Sequence, residues 1–192
     1  RLRRAPEMLE AARLGVDFLE RRCFDADGKM FFRVTRDGRP LIKRKRYFFS
    51  EVFAILAHAA YARATGDGSH ISRAREILAR IDRYSNEPGM LEPKWDQSTR
   101  PSIVYAEPMI LLSVSQELRR ADPANAREYD ARIDGHIARM RLFIRDDLEC
   151  VLEQVGPEGE LQDHFEGRLL NPGHAIESSW FLLVEARRRG DR

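Results

Sequence analysis

Three side chains near the end of the sequence, His174, Glu177 and Trp180, have types and spacing suited to proton transfer. Pro172 and Gly173 are typical of the start of a helix, so His174 falls in the first turn and the other two follow at three-residue steps on the same face. The positive end of a helix favours a neutral imidazole and an ionised carboxylate. A neutral histidine oriented by a carboxylate can accept a proton from carbon, and a tryptophan offers an apolar face for a sugar ring.

The same three residues also have plainer interpretations. A histidine in a first helical turn with a glutamate three residues later could be only a capping arrangement, and Trp180 could belong to a hydrophobic core. His174 and Glu177 could alternatively ligate a metal ion, but no third ligand is evident, and no His-x-x-x-His or Cys-x-x-Cys spacing suggests zinc. We therefore expect no metal site.

A second set of polar residues precedes an apolar stretch in the first third of the chain. Glu51 could complement the positive end of a helix or accept a hydrogen bond from a sugar hydroxyl. Arg46 could bind a hydroxyl or a carboxylate, or be solvated. It ends the basic run 43–46, which is typical of a solvated strand end or loop rather than of a polyanion site.

The remaining histidines carry weaker signals. His58 lies in an apolar helical stretch, which is typical of a core or interhelix histidine. His70 and His136 are expected at the surface. His164 lies in a polar loop near the first set of residues, where it could line a pocket, although an exposed position is the better prediction.

The elements that must position these residues are mostly helical. Six stretches repeat apolar residues at three- and four-residue spacing, which predicts helices over about 6–22, 50–65, 69–84, 103–120, 124–145 and 173–189. Ser69 is predicted as an N-cap and Gly66 as a stop. Asp37-Gly38, between β-like runs at 30–34 and 41–43, predicts a hairpin, and 150–155 is a further β-like piece.

The composition is that of a globular protein. The 192 residues are 43% hydrophobic and 33% charged, with a net charge of +2, so nothing favours a nucleic-acid or membrane partner. Two cysteines make no disulfide framework, and the N-terminal segment is not a signal peptide, so we expect a cytoplasmic protein. No linker is evident, and we predict a single domain over 1–192.

Several motifs together resemble the N-acylglucosamine 2-epimerase (renin-binding protein) family. Their order and spacing fit the family along nearly the whole chain. They are Thr-Arg-Asp-Gly-Arg-Pro at 35–40, Phe-Ser-Glu-x-Phe at 49–53, Ala-Thr-Gly-Asp at 64–67, Pro-Met-x-Leu-Leu at 108–112, Gln-Glu-Leu at 116–118 and Asn-Pro-Gly-His-x-x-Glu-x-x-Trp-Phe-Leu-Leu at 171–183. The last motif is the most specific.

The resemblance implies an all-α fold of twelve helices in an inner and an outer ring, an (α/α)6 barrel or toroid with short β-hairpins between helices. Six helices make this chain a partial toroid, about half, incomplete at both ends. The family's essential arginine lies before this chain begins, and its second catalytic histidine and a further glutamate lie after Arg192. We therefore expect this chain alone to be inactive.

The resemblance also implies an isomerase that interconverts N-acylglucosamine and N-acylmannosamine type sugars at C2. One histidine removes the C2 proton of the open-chain sugar, and a second returns it on the other face. His174 matches one of the pair, Glu177 the nearby carboxylate and Trp180 the pocket aromatic, as catalytic and substrate-binding residues respectively. Glu51 and Arg46 match a stretch leading into another inner helix and are predicted substrate contacts.

Further expectations concern specificity and partners. Relatives that act on disaccharides carry Asn and His at the positions of Glu107 and Leu111, so this chain resembles the N-acylglucosamine branch. We expect a small sugar as substrate, no required cofactor, ATP as an allosteric activator and a homodimer. The alternatives are an aldose–ketose isomerase, a non-catalytic member that binds sugar or protein, and an inactive fragment.

Overall fold

The computed structural model describes residues 5–42, 47–87, 89–92 and 96–191. Its contacts group into two compact units, Arg1–Glu92 and Pro93–Arg192, each of which has its own helices and core. The prediction of one domain over 1–192 stays a prediction. The basic run at 43–46 lies outside the described residues.

The described residues of the first unit form three α-helices and one β-hairpin. The helices are α1 (Pro6–Arg22), α2 (Phe49–Thr65) and α3 (Gly68–Asn86), and the antiparallel strands are β1 (Arg33–Val34) and β2 (Pro40–Ile42). Helix α2 contacts both α1 and α3. Because α2 is apolar over a wide arc, it can bury side chains on two sides, and the core of this unit contains Val16, Val52, Ile55, Ala59, Ile77 and Ile81.

Local signals in the first unit are mostly confirmed. The hairpin turns at Asp37-Gly38, where Gly38 has a φ of 83° that favours glycine. Gly66 ends α2 with a φ of 82° and donates its N–H to Ala62 O at 2.7 Å. The predicted N-cap at Ser69 is wrong, because Asp67 caps α3 and its carboxylate accepts a hydrogen bond from the Ser69 N–H at 2.9 Å.

The described residues of the second unit form the α-helices α4 (Ala106–Ala121), α5 (Ala126–Met140) and α6 (Pro172–Arg189). Strand β3 (Ile103–Val104) pairs antiparallel with β6 (Gln154–Val155), and β4 (Ile144–Arg145) pairs antiparallel with β5 (Cys150–Val151). Helix α4 packs on both α5 and α6. The core between them contains Tyr105, Met109, Leu112, Ile133, Met140, Phe143, Leu152, Val155 and Phe181.

Two helix boundaries predicted in this unit are wrong. Residues 103–104 were expected to start a helix but form β3, and residues 144–145 were expected to end one but form β4. Short apolar runs fit helix and strand equally well by periodicity. Here strand pairing decides, with the distant β6 for β3 and with the neighbouring β5 for β4. Within the described ranges, no helix combines the length and apolar character needed to cross a membrane.

Candidate functional site

The start of α6 is built by its cap. Asn171 Oδ1 accepts hydrogen bonds from the N–H groups of Gly173, at 3.1 Å, and His174, at 3.4 Å. Pro172 occupies the first helical position, where its missing N–H costs nothing. This arrangement places His174 in the first turn, as the sequence predicts, with 31% of its side chain exposed.

The carboxylate that contacts His174 is Glu153. Its two oxygens lie 2.8 and 3.1 Å from His174 Nδ1. Glu153 lies between β5 and β6, 21 residues before the histidine. Its backbone is held on both sides, because its carbonyl accepts from the Tyr105 N–H at 3.0 Å and its own N–H donates to Leu169 O at 3.2 Å.

Glu153 is not among the site residues that the sequence predicts. The only signal for it was a charged residue inside the β-like piece 150–155, between Leu152 and Gln154, which are both buried. No spacing rule connects that piece to the start of α6, because the contact depends on how the chain folds back. The i+3 rule directed attention to Glu177 instead.

A buried hydroxyl pair joins the first turns of α6 to the segment preceding α4. Tyr105 donates its hydroxyl to Ser178 Oγ at 2.7 Å, and Ser178 donates to Ala175 O at 3.0 Å. Burial raises the pKa of Tyr105, while its bond to Ser178 opposes that shift. Since Tyr105 also holds the Glu153 backbone, one residue supports both members of the His174–Glu153 pair.

Glu177 and Trp180 lie on an open part of α6. Trp180 is 62% exposed, and its ring centroid lies 5.2 Å from that of the buried Phe181. Glu177 is exposed, and no described residue makes a hydrogen bond or ion pair with it. Ile176 and Leu183 are also exposed, so this surface is apolar with one carboxylate. The catalytic role of Glu177 and the sugar-binding role of Trp180 stay predictions.

A buried ion cluster fixes the other end of α6. Glu185 is 2% exposed and receives two bonds from Arg119 of α4, at 2.6 and 2.9 Å. Gln116 and Arg189 also donate to it. Burial raises the pKa of Glu185, but the bonds from Arg119, Arg189 and Gln116 outweigh burial and lower it to about 2. The helix that carries His174 is therefore tied to α4 along its length.

The two predicted substrate contacts near α2 are Arg46 and Glu51, and the structure describes only the second. Arg46 lies outside the described residues. Glu51 belongs to the first turn of α2, but its side chain is 4% exposed and accepts the Met30 N–H at 2.9 Å. Burial raises the pKa of Glu51, and the bond from Met30 opposes that shift. This contact gives Glu51 a structural task inside the first unit, and its contact with sugar stays a prediction.

His58 also contacts a carboxylate, but its side chain is almost completely buried. It is 1% exposed, and its Nε2 lies 2.9 Å from Glu20 of α1, while its Nδ1 lies 2.9 Å from Nδ1 of His70 in α3. Arg73 contacts the same Glu20 carboxylate at 3.0 Å. Burial lowers the pKa of His58, and Glu20 opposes that shift. The prediction of an interhelix histidine is confirmed, and His70 is a half-buried partner rather than a surface residue.

His164 also differs from its prediction. It is half-buried, with Nε2 3.1 Å from Gln162 and Nδ1 3.2 Å from Glu166. Gln162 in turn accepts from Ser102 Oγ at 2.9 Å, so the loop folds onto the segment before β3. His164 therefore helps to order the loop that leads to Asn171.

A cavity of about 440 Å³ lies between α5 and α6, away from His174. Its α6 lining begins at Leu182. Glu185, near the middle of that lining, is eleven positions after His174, a separation of about 16 Å along the helix. This cavity is therefore not the place where His174 would meet a ligand.

Paired helices with short hairpins between them are a fold that this chain shares with a solved structure. The solved structure of a sugar epimerase from a ruminal bacterium matches 97% of this chain with a TM-score of 0.76, at 18% identity and over 50% of its own length. The predicted fold class, a partial (α/α)6 toroid with short hairpins, is confirmed.

The chain belongs to the N-acylglucosamine 2-epimerase (GlcNAc 2-epimerase) family, whose model matches residues 2–192. It is 36% identical to the N-acylglucosamine 2-epimerase of Mus musculus and 37% identical to that of Bos taurus, in each case over 98% of this chain. The human enzyme is 35% identical. The chain spans 45% of the length of the mouse and bovine relatives.

Proposed function

We propose that this chain is the His174-bearing part of a sugar 2-epimerase that interconverts N-acylglucosamine and N-acylmannosamine. The observation that carries the proposal is the His174–Glu153 pair, which lies at the exposed start of α6 with Trp180 two turns on. The named activity of the relatives gives the substrate class, and their greater length makes the activity a property of the whole protein.

In this reaction His174 removes the proton from C2 of the open-chain sugar. The electrons of the broken C2–H bond form a C1–C2 double bond, and the C1 carbonyl oxygen takes the negative charge, which gives an enolate that carries the acylamino group on C2. A second base on the opposite face then donates a proton to C2, and the carbonyl forms again. One proton leaves and one returns, so the sugar is isomerised without any redox change and no cofactor is required.

Glu177 and Trp180 supply the sugar contacts on the same helix. The exposed indole of Trp180 gives a sugar ring an apolar face, and the exposed carboxylate of Glu177 can accept hydrogen bonds from hydroxyls near C2. Arg46 is assigned to the sugar by resemblance alone. The buried bond from Met30 to Glu51 supports a structural role for that carboxylate, so we assign it no step of the reaction.

The setting of the enzyme is part of the same proposal. Cys23 and Cys150 are free, as is usual in a reducing cytosol. Assembly as a homodimer and allosteric activation by ATP are proposed from the resemblance, and neither is used in the mechanism above.

Proton NMR of N-acetylmannosamine in D2O tests the proposal. The full-length protein that contains this chain should exchange the C2 proton for deuterium and form N-acetylglucosamine, and His174→Ala should abolish both. If the full-length protein exchanges the C2 proton of none of a panel of aldoses and ketoses, the proposed enzyme activity is wrong. Quenching of Trp180 fluorescence by sugar in such an inactive protein would identify a sugar-binding protein instead.

A further inference from the structure

Two carboxylates compete for the task of orienting His174. Glu177 follows it by three residues on the same helix, and Glu153 reaches it from the turn between β5 and β6. Only Glu153 makes the contact, with oxygens 2.8 and 3.1 Å from Nδ1. Within the described residues, no hydrogen bond or ion pair reaches His174 Nε2.

We propose that Glu153, and not Glu177, is the positioning residue that fixes the tautomer of His174. In this arrangement the ring proton is held on Nδ1, and the Nε2 lone pair is presented to the substrate. The inference rests on the proposed epimerase and adds a residue that acts through the histidine rather than on the sugar.

The chemistry of the two groups dictates the tautomer. An ionised carboxylate accepts hydrogen bonds and donates none, so the Glu153 contact requires a proton on Nδ1. A neutral imidazole has one N–H, and its other nitrogen is then an acceptor. Nε2 is therefore the basic atom. When it takes a proton, the charge that develops on the ring is balanced by Glu153, 2.8 Å away.

The position of Glu153 is fixed well enough for this role. Its carbonyl and N–H are both used by neighbouring segments, and it lies between Leu152 and Gln154, which are 4% and 3% exposed. Gln154 is itself held by Ser102 Oγ at 3.1 Å. Because its backbone and both neighbours are anchored in the unit, the Glu153 side chain starts from a fixed point within reach of the histidine.

Glu177 lacks this support. Its carboxylate is exposed, and among the described residues no hydrogen bond or ion pair holds it against the imidazole. Its exposure suits a direct contact with the sugar instead. The two glutamates thus divide the work, Glu153 behind the histidine and Glu177 toward the substrate.

The first test reads the tautomer in the wild-type protein and uses a variant only to assign the signals. Histidine labelled with ¹⁵N in the full-length protein gives long-range ¹H–¹⁵N correlations that distinguish the two tautomers, and His174→Ala identifies the His174 signals. At a pH where the ring is neutral, we expect the proton on Nδ1. A proton on Nε2 would overturn the proposal. This readout does not depend on activity, so it separates failure of the positioning role from failure of the proposed enzyme.

Matched variants test the division of work. Glu153→Gln removes the charge and keeps the shape, and we expect it to change the His174 nitrogen signals and to lower kcat about 10- to 100-fold with little change in KM. Glu153→Asp should recover part of kcat. Glu177→Gln makes the same change on the exposed face, and it should lower activity while leaving the His174 nitrogen signals unchanged.

The reverse pattern would overturn the proposal. If Glu177→Gln changes the His174 nitrogen signals and Glu153→Gln does not, Glu177 orients the ring. Thermal unfolding of each variant checks that the protein is folded, and the wild-type tautomer decides the question if Glu153→Gln does not fold.

Discussion

The two units each contain a histidine paired with a glutamate, and the two pairs differ in burial and in the use of the second ring nitrogen. In the first unit His58 contacts Glu20 at 2.9 Å, and in the second His174 contacts Glu153 at 2.8 Å. His58 is 1% exposed, whereas the His174 side chain is 31% exposed. A histidine–carboxylate pair therefore does not mark a reactive site by itself.

The second ring nitrogen separates the two pairs. Nε2 of His58 contacts Glu20 and Nδ1 contacts His70, so both of its nitrogens are used to join three helices. His174 uses only Nδ1 within the described residues. The difference teaches that a free second nitrogen, together with access to solvent, is what makes such a pair available for proton transfer.

The largest expected effect concerns Arg119, whose ion pair with Glu185 links α4 to α6 in the second unit. Arg119→Met should lower the free energy of unfolding by about 3 kcal/mol, because it leaves the buried Glu185 without its main partner. The loss falls at the low end of the usual range, since Gln116 and Arg189 still contact Glu185. Urea unfolding measures it.

Arg120→Met is the matched control. Arg120 is the next residue, pairs with Glu117 and is 46% exposed. Its loss should change the free energy of unfolding by less than about 0.5 kcal/mol. Equal effects of the two substitutions would show that the buried cluster does not hold α6.

A smaller effect is expected at His58. His58→Ala should cost about 2 kcal/mol, because it empties a buried position and removes the hydrogen-bond partner of His70. His174→Ala should cost less than about 1 kcal/mol, because the site is partly exposed. A larger loss of stability for His174→Ala than for His58→Ala would reverse the comparison.

Stability should also depend on pH through His58. Its pKa is lowered by burial, so the unfolded chain binds this proton more readily than the folded one. The contribution of neutral His58 to the free energy of unfolding is fully present above about pH 6.5, the usual pKa of histidine. It is lost as pH falls below that value, by at most about 1.4 kcal/mol per pH unit.

Glu51 acts in the opposite direction, because its pKa is raised and protonation favours the folded state as pH falls. The difference between the wild type and His58→Gln therefore isolates the histidine. The urea midpoints of the two proteins, measured between pH 5 and pH 8, should approach each other as the pH falls. Parallel curves would mean that His58 takes up its proton equally well in the folded state.

Much of the fold could be predicted from the sequence because its signals are local. Periodicity located α1 at its observed bounds, and Asn171-Pro172-Gly173 located the start of α6. Strand β4 could not be predicted because it is two residues long and forms a short hairpin with β5. Strand β3 could not be predicted because it is equally short and depends on β6, a partner far away in the sequence. Glu153 was missed for the same reason, and Glu51 was placed correctly in α2 without any sign that its carboxylate is buried.

The most direct test compares C2 proton exchange and unfolding stability between the His174→Gln and His58→Gln variants of the full-length protein. His174→Gln should abolish exchange of the N-acetylmannosamine C2 proton and remain nearly as stable as the wild type. His58→Gln should be clearly less stable and, where folded, should retain exchange. Exchange that persists in His174→Gln, or that is lost in folded His58→Gln, would contradict the assignment of His174 as the base.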